Sequence, residues 1–276
     1  MSYQRSNIST SLRRKRQISL LKKIGIYFIF ILFFISLANY GLTYNKIRIS
    51  DIIVTGNNSV QTDDILKIVN TELSKVYLGI TPTDNILLLR SLIIENKILD
   101  TYKKIGKVDV IIRGITSIEI AVTERKSDNL WCKGTPAESK GCYFMDSSGF
   151  IFEDAPTFSN NSFPEYFGLI SGMSPVGQTY FNNNFRNIAN LYNALKTMSF
   201  QPQYFNALNE HEYEVYILGG GKIIINDKKS FESSLTNLQA LVDNKYISND
   251  AVSLKKIKYV DLRFGNKVNF ELKTSL

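Results

Sequence analysis

The chain runs to 276 residues, 44% hydrophobic, 12% aromatic and 21% charged, enough for one large or two ordinary domains and free of any fixed-period repeat or low-complexity tract. Its formal net charge is +8, but residues 1–23 hold seven cations and no acid, leaving 26 Lys and Arg against 25 Asp and Glu beyond them. That distribution excludes a basic nucleic-acid-binding surface and makes the charge a signal of topology.

Residues 1–23 carry Arg5, Arg13, Arg14, Lys15, Arg16, Lys22 and Lys23, and their Ser, Asn and Gln content predicts a disordered tail. Residues 24–44 follow without a charge, and from Ile24 to Ala38 only Gly25 and Ser36 interrupt the apolar run. As a helix this stretch reaches about 30 Å, the hydrocarbon thickness of a bilayer, and every face is apolar. Tyr40 and Tyr44 stand where interfacial aromatics belong. The leading expectation is therefore a membrane-spanning helix. Two others stay open: a cleaved signal peptide, with Ser36-Leu37-Ala38 as a small-x-small site, and a buried core helix. The basic flank places the N-terminus in the cytoplasm and the rest of the chain outside it.

Residues 46–125 predict a β-α-α-β-β order. Ile47 to Val54 reads as a strand ending at the Gly56-Asn57-Asn58 turn. Thr62 is the expected N-cap of a helix in which Ile65, Leu66, Ile68, Val69 and Leu73 recur at helical spacing. A second helix is expected from Ile86 through Ile94, Ile98, Leu99 and Tyr102, ended by Gly106. Lys107 to Ile115 is β-rich, and Ser117 to Arg125 alternates strictly, with Ile118, Ile120 and Val122 on one face.

Here the chain resembles a known family. The phrases IRISDIIVTGNNSVQTDDIL and KVDVIIRGITSIEIAVTERK look like a polypeptide-transport-associated (POTRA) domain. Its place directly after a single span resembles the bacterial cell-division family FtsQ/DivIB. Val54-Thr55-Gly56-Asn57 matches the family's Val-x-Gly-Asn turn, and Glu124-Arg125 its closing Glu-Arg pair. Gly114-Ile115-Thr116-Ser117 stand where the family usually carries Trp-Pro.

Residues 126–276 predict a larger β domain with amphipathic helices, so that the whole is an α+β protein. Cys132 and Cys142, the only cysteines, bracket a polar turn-forming loop; two paired strands would bring them within disulfide reach. Metal binding is a poor alternative, because no second Cys pair or nearby His completes a site. Phe144 to Phe152 reads as strand, Asp-Ser-Ser-Gly turn, strand, and is similar to the family's Asp-x-x-Gly-x-x-Phe segment. Residues 155–182 read as loop. Asn183 or Asn184 caps a helix whose stripe is Phe185, Ile188, Tyr192, Leu195 and Met198, and two strands flank Gly219-Gly220-Gly221. A helix follows from Ser230, and Lys255 to Leu272 forms two extended runs around Phe264-Gly265-Asn266.

The run from Lys258 to Val268 looks like the family's closing Tyr-Val-Asp-Leu-Arg-Tyr-x-Asn-Gly phrase, with Phe264 in place of Tyr and the Gly and Asn exchanged. The resemblance thus covers nearly the whole chain. It implies a non-enzymatic scaffold of the division machinery at the septum, single-pass in the cytoplasmic membrane. The implied partners are FtsB/FtsL-like bitopic proteins, and the resemblance implies no cofactor, metal, nucleic acid or small-molecule substrate. Carried over by position, the partner site is Arg263 and Phe264, with Gly265, Asn266, Lys267 and Val268 beside them. Independently, a strand near a chain's end is often a sheet edge open to strand addition, and Arg and aromatics dominate binding hot spots. Packing of Phe264 in the core is the alternative. The lone His211 in HEYEVY, and Asp261 with Arg263, are expected as surface features, the latter a surface ion pair on one side of a strand. A cleaved secreted binding protein and a membrane-anchored hydrolase are the other functional readings.

Overall fold

A computed structural model describes residues 8–42, 47–77, 81–158, 162–170, 172, 174–181, 184–228, 230–265 and 267–274. It is a mixed α+β protein with one N-terminal apolar helix and a large mixed β-sheet. Two compact units divide it: Met1–Thr101 with Lys107–Thr123, and Tyr102–Gly106 with Glu124–Leu276.

Helix α1 spans Ile8–Leu42. The basic segment expected to be disordered is therefore helical from Ile8 onward. Arg, Lys and Leu are good helix formers, and extending an existing helix costs far less than nucleating one. Within Lys15–Leu37 the most apolar 18-residue stretch has a mean hydropathy of 2.2, and no residue from Lys15 to Leu37 is buried in the protein, so α1 is not a core helix. A helix of this length and position fits a membrane anchor or a signal sequence. Tyr44 lies outside the described residues.

The first unit continues with β1 (Asp51–Thr55), α2 (Thr62–Leu73), the short β2 (Val76–Tyr77) and β3 (Thr81–Pro82), α3 (Ser91–Thr101), β4 (Ile105–Ile112) and β5 (Ser117–Glu124). The sheet order is β1-β5-β4, with β1 parallel to β5 from Asp51↔Ser117 to Thr55↔Ala121. Ile118, Ile120 and Val122 are buried, as are Ile65, Val69 and Leu73 of α2 and Ile94 and Ile98 of α3. Alternation in the strand and 3.6-residue spacing in the helices thus point at a common core. Gly56 (φ +81°) turns the chain out of β1 where a Cβ would collide with the Val122 carbonyl, which requires glycine there.

Two local expectations are corrected. The N-cap of α2 is Gln61, and Thr62 is already helical, its hydroxyl accepting a hydrogen bond from Asn57 Nδ2 at 3.0 Å. The second helix starts at Ser91, because Ile86–Leu88 form a separate 3-10 turn capped by Asn85, and Leu89 (ψ 123°) breaks the helical path.

The second unit is built on a nine-stranded sheet: β6 (Asn129–Thr135), β7 (Glu138–Met145), β8 (Ile151–Ala155), β9 (Glu165–Phe167), β10 (Pro202–Ala207), β11 (Glu212–Ile217), β12 (Lys222–Asn226), β13 (Ile257–Asp261) and β14 (Asn269–Leu272). The order across it is β14-β13-β12-β11-β10-β9-β6-β7-β8. Among the described residues three α-helices accompany it, α4 (Phe185–Thr197), α5 (Phe231–Asp243) and the single turn α6 (Ala251–Leu254). Phe185, Ile188 and Leu195 of α4 and Leu238 of α5 join Tyr166, Phe205, Val215 and Ile225 in one core. A smaller cluster of Leu130, Cys132 and Phe167 lies apart from it. The loop expected over residues 155–182 contains β9, which runs parallel to both β6 and β10. It joins the two halves of the sheet.

Candidate functional site

The closing phrase forms the end of β13, a turn and the outer strand β14. β14 pairs antiparallel with β13, Asp261↔Asn269 through Ile257↔Leu272, and no other strand flanks it among the described residues. All four of its residues are exposed. Its unpaired side offers backbone donors and acceptors to an incoming strand.

Arg263 lies in the turn, beyond the strand, and is not half of a surface pair as expected. Its Nη2 and Nε donate to the Asp261 carboxylate at 2.7 and 3.0 Å, its backbone N–H donates to the same group at 3.1 Å, and its Nη1 reaches Glu212 of β11 at 3.1 Å. Asp261 is buried. Removing an Asp261 carboxylate from water is costly, and the fork-shaped guanidinium offsets that cost with charge-assisted bonds. The hydrogen bond to Asp261, with the charges of Asp261 and Glu212, raises the Arg263 pKa further above its ordinary value. Arg263 therefore holds the turn, with Nε, Nη1 and Nη2 each donating within the protein.

Phe264 is 57% exposed, with the Arg263 guanidinium carbon 5.5 Å from its ring centre. It is not a core residue. Gly265 is buried with φ +73°, and its carbonyl accepts from Asn237 of α5 at 2.7 Å, which pins the turn to the helix. Asn266 lies outside the described residues. Lys267 is exposed, while Val268 packs against the main core. Of the six residues expected to bind a partner, the structure thus presents Phe264 and Lys267 outward and uses Arg263, Gly265 and Val268 to hold the turn. Glu212 and Asn237 were not anticipated, and no spacing rule could have found them, since they come from other elements. A cavity of about 500 Å³, lined in part by Tyr246, Ile247, Lys245, Lys256 and Leu272, lies beside β14.

Neither known protein families nor curated proteins give a match to this sequence.

Cys132 and Cys142 form a disulfide between directly paired positions of β6 and β7, with Cα atoms 4.0 Å apart. Closing a loop this short stabilises by about 2–3 kcal/mol on the chain-entropy estimate. Nearby, Asp146 opens the turn between β7 and β8. Its Oδ1 accepts from the Ser148 amide, the Ser148 hydroxyl and the Phe150 amide at 2.8, 2.6 and 3.1 Å, and its Oδ2 accepts from Arg125 Nη1 at 2.5 Å. Burial alone would raise its pKa, but these hydrogen bonds outweigh it and hold the carboxyl below its ordinary value. Arg125 also stacks 4.0 Å over the Phe150 ring.

His211 is exposed in a turn, its Nδ1 3.0 Å from Asp227 Oδ1, and the Tyr213 hydroxyl donates to Asp227 Oδ2 at 3.0 Å. Among the described residues no group of three or more His, Cys, Asp or Glu is placed to hold a metal ion.

Proposed function

We propose that this chain is a single-pass membrane scaffold whose outer part recruits another bitopic membrane protein by strand addition at β14, as a member of the FtsQ/DivIB family of the bacterial division machinery. The reading rests on one observation above the rest: the nine-stranded sheet ends in an exposed strand whose turn is braced from within and carries an exposed aromatic. Such an edge takes an extended peptide through main-chain hydrogen bonds, while Phe264 supplies a side-chain anchor. The POTRA identity of the first unit is part of the same proposal, supported by a β-α-α-β-β order once the short β2 and β3 between the helices are set aside. In this reading α1 is retained, the basic flank is cytoplasmic and both units lie outside.

A photocrosslinking residue placed at Phe270 or Phe264 in the full chain, in dividing cells, tests it. Adducts with an FtsB- or FtsL-like bitopic protein that gathers at the septum are expected. Adducts formed only from positions on other strands would overturn the site. The apolar helix near the N-terminus also fits a signal sequence, which favours a secreted binding protein as the second reading. N-terminal sequencing of the mature membrane-bound chain separates the two.

A further inference from the structure

The first unit has two ends, and its exposed apolar residues occupy only one of them. β1 leads away from Asp51, α2 returns, α3 leads away again and β4 returns to Ile112. The near end therefore holds residues 47–51, 73–77, 81–93 and 112–117, and the far end holds residues 55–62 and Thr101. Val76, Leu87, Leu92, Ile93, Ile112 and Ile115 are all exposed, with Leu87 and Leu92 at 72% and Ile115 at 68%. Every one lies at the near end; Ile53, in the middle of β1, is next inward. The far end exposes no large apolar residue among those described.

The near end is also where the chain arrives from α1. Arg48 bridges to Asn85 and pairs with Asp84, the Ile49 amide donates to the Asp84 carbonyl at 2.7 Å, and the Ser50 amide donates to the Thr116 carbonyl at 2.9 Å. Both apolar segments are thus tied to the first described residues after the helix. The five steps from Leu42 to Ile47 reach at most about 18 Å even when fully extended.

We infer that this rim is a second membrane contact: Leu87, Leu92 and Ile115 enter the boundary between headgroups and acyl chains of the leaflet that α1 leaves, and fix the first unit to the bilayer. The inference rests on α1 spanning the membrane. A short tether keeps the near end within reach of the surface, and apolar side chains so exposed gain by leaving water. Three cations of the rim are matched by acids, Arg48 with Asp84, Lys75 with Glu72 and Arg113 with Glu119, so the contact is chiefly apolar in origin.

The test uses the full chain in phosphatidylcholine nanodiscs containing nitroxide-labelled lipid, with the native disulfide intact so that only an introduced cysteine takes an environment-sensitive fluorophore. Labels at Leu87→Cys and Ile115→Cys are expected to shift to the blue and lose intensity to the quencher. A label at Asp63→Cys, at the far end, is expected to stay in water. A label at Phe30→Cys, in α1, reports the span itself. Quenching at position 30 with water-like emission at 87 and 115 overturns the membrane contact and leaves the span standing. Absence of quenching at position 30 overturns the span, and the contact with it.

Discussion

Two arginine–aspartate clamps close two turns of the same sheet, and they differ in where the aspartate finds its donors. Asp146, between β7 and β8, takes three hydrogen bonds from Ser148 and Phe150 and one from Arg125. Asp261, before the turn to β14, takes its side-chain hydrogen bonds, among the described residues, from Arg263 alone, through the backbone amide and the guanidinium. The aromatic neighbours differ too. Phe150 lies under its arginine at 4.0 Å, whereas Phe264 is 5.5 Å from its own and faces solvent. The first clamp is closed on itself. The second spends its arginine on holding the turn and leaves the ring to whatever arrives.

Counting donors ranks the consequences. Arg263→Ala leaves a buried carboxylate with one amide and no cation, which costs about 3 kcal/mol. For a unit of this size that lowers the Tm by roughly 10 °C, measurable by thermal unfolding of the full chain in detergent. A change under about 1 kcal/mol would mean that water replaces the guanidinium and that Asp261 is not a buried charge in solution.

Arg125→Ala should cost less, about 1–2 kcal/mol, because Ser148 and Phe150 continue to serve Asp146. The two variants measured side by side test the comparison directly, and equal losses would break it. Acidity sharpens it. The Asp146 carboxyl is held below its ordinary 3.8 in the folded protein. Its contribution is therefore complete above that value and disappears as pH falls through the lower folded one. Asp146→Asn should flatten the decline in stability below about pH 4. A decline unchanged by Asp146→Asn would assign the acid sensitivity elsewhere.

How far these features were legible in the sequence depends on how local their causes are. Alternation in Ile118, Ile120 and Val122, and the stripe of Phe185, Ile188, Tyr192 and Leu195, arise from the period of one element, and the structure uses both as expected. The Asp146 turn was legible for the same reason. β9 was not: it has three residues, follows Pro164 and precedes Gly168, and is a strand only because β6 and β10 flank it. The start of α3 was misplaced because Asn85 caps a turn of its own, which apolar spacing does not report. Arg263 was seen with Asp261 but read as a surface pair, since the burial of Asp261 and the reach to Glu212 come from elements far away in sequence.

The smallest expected change in stability belongs to the residue with the largest expected role. Phe264→Ala removes an exposed ring and a distant cation–π contact, worth no more than about 0.5 kcal/mol. The Tm should stay within a degree or two of the parent. If the ring anchors an added strand, the same change should weaken partner binding by about 2 kcal/mol or more, roughly thirtyfold in Kd. The crosslink from position 270 should then be lost from an otherwise stable protein. Crosslinking that persists would reduce Phe264 to a bystander and leave recognition to the backbone of β14. A Tm that falls along with binding would place the ring with Arg263 among the parts that hold the turn, and the division of labour between the two residues would be wrong.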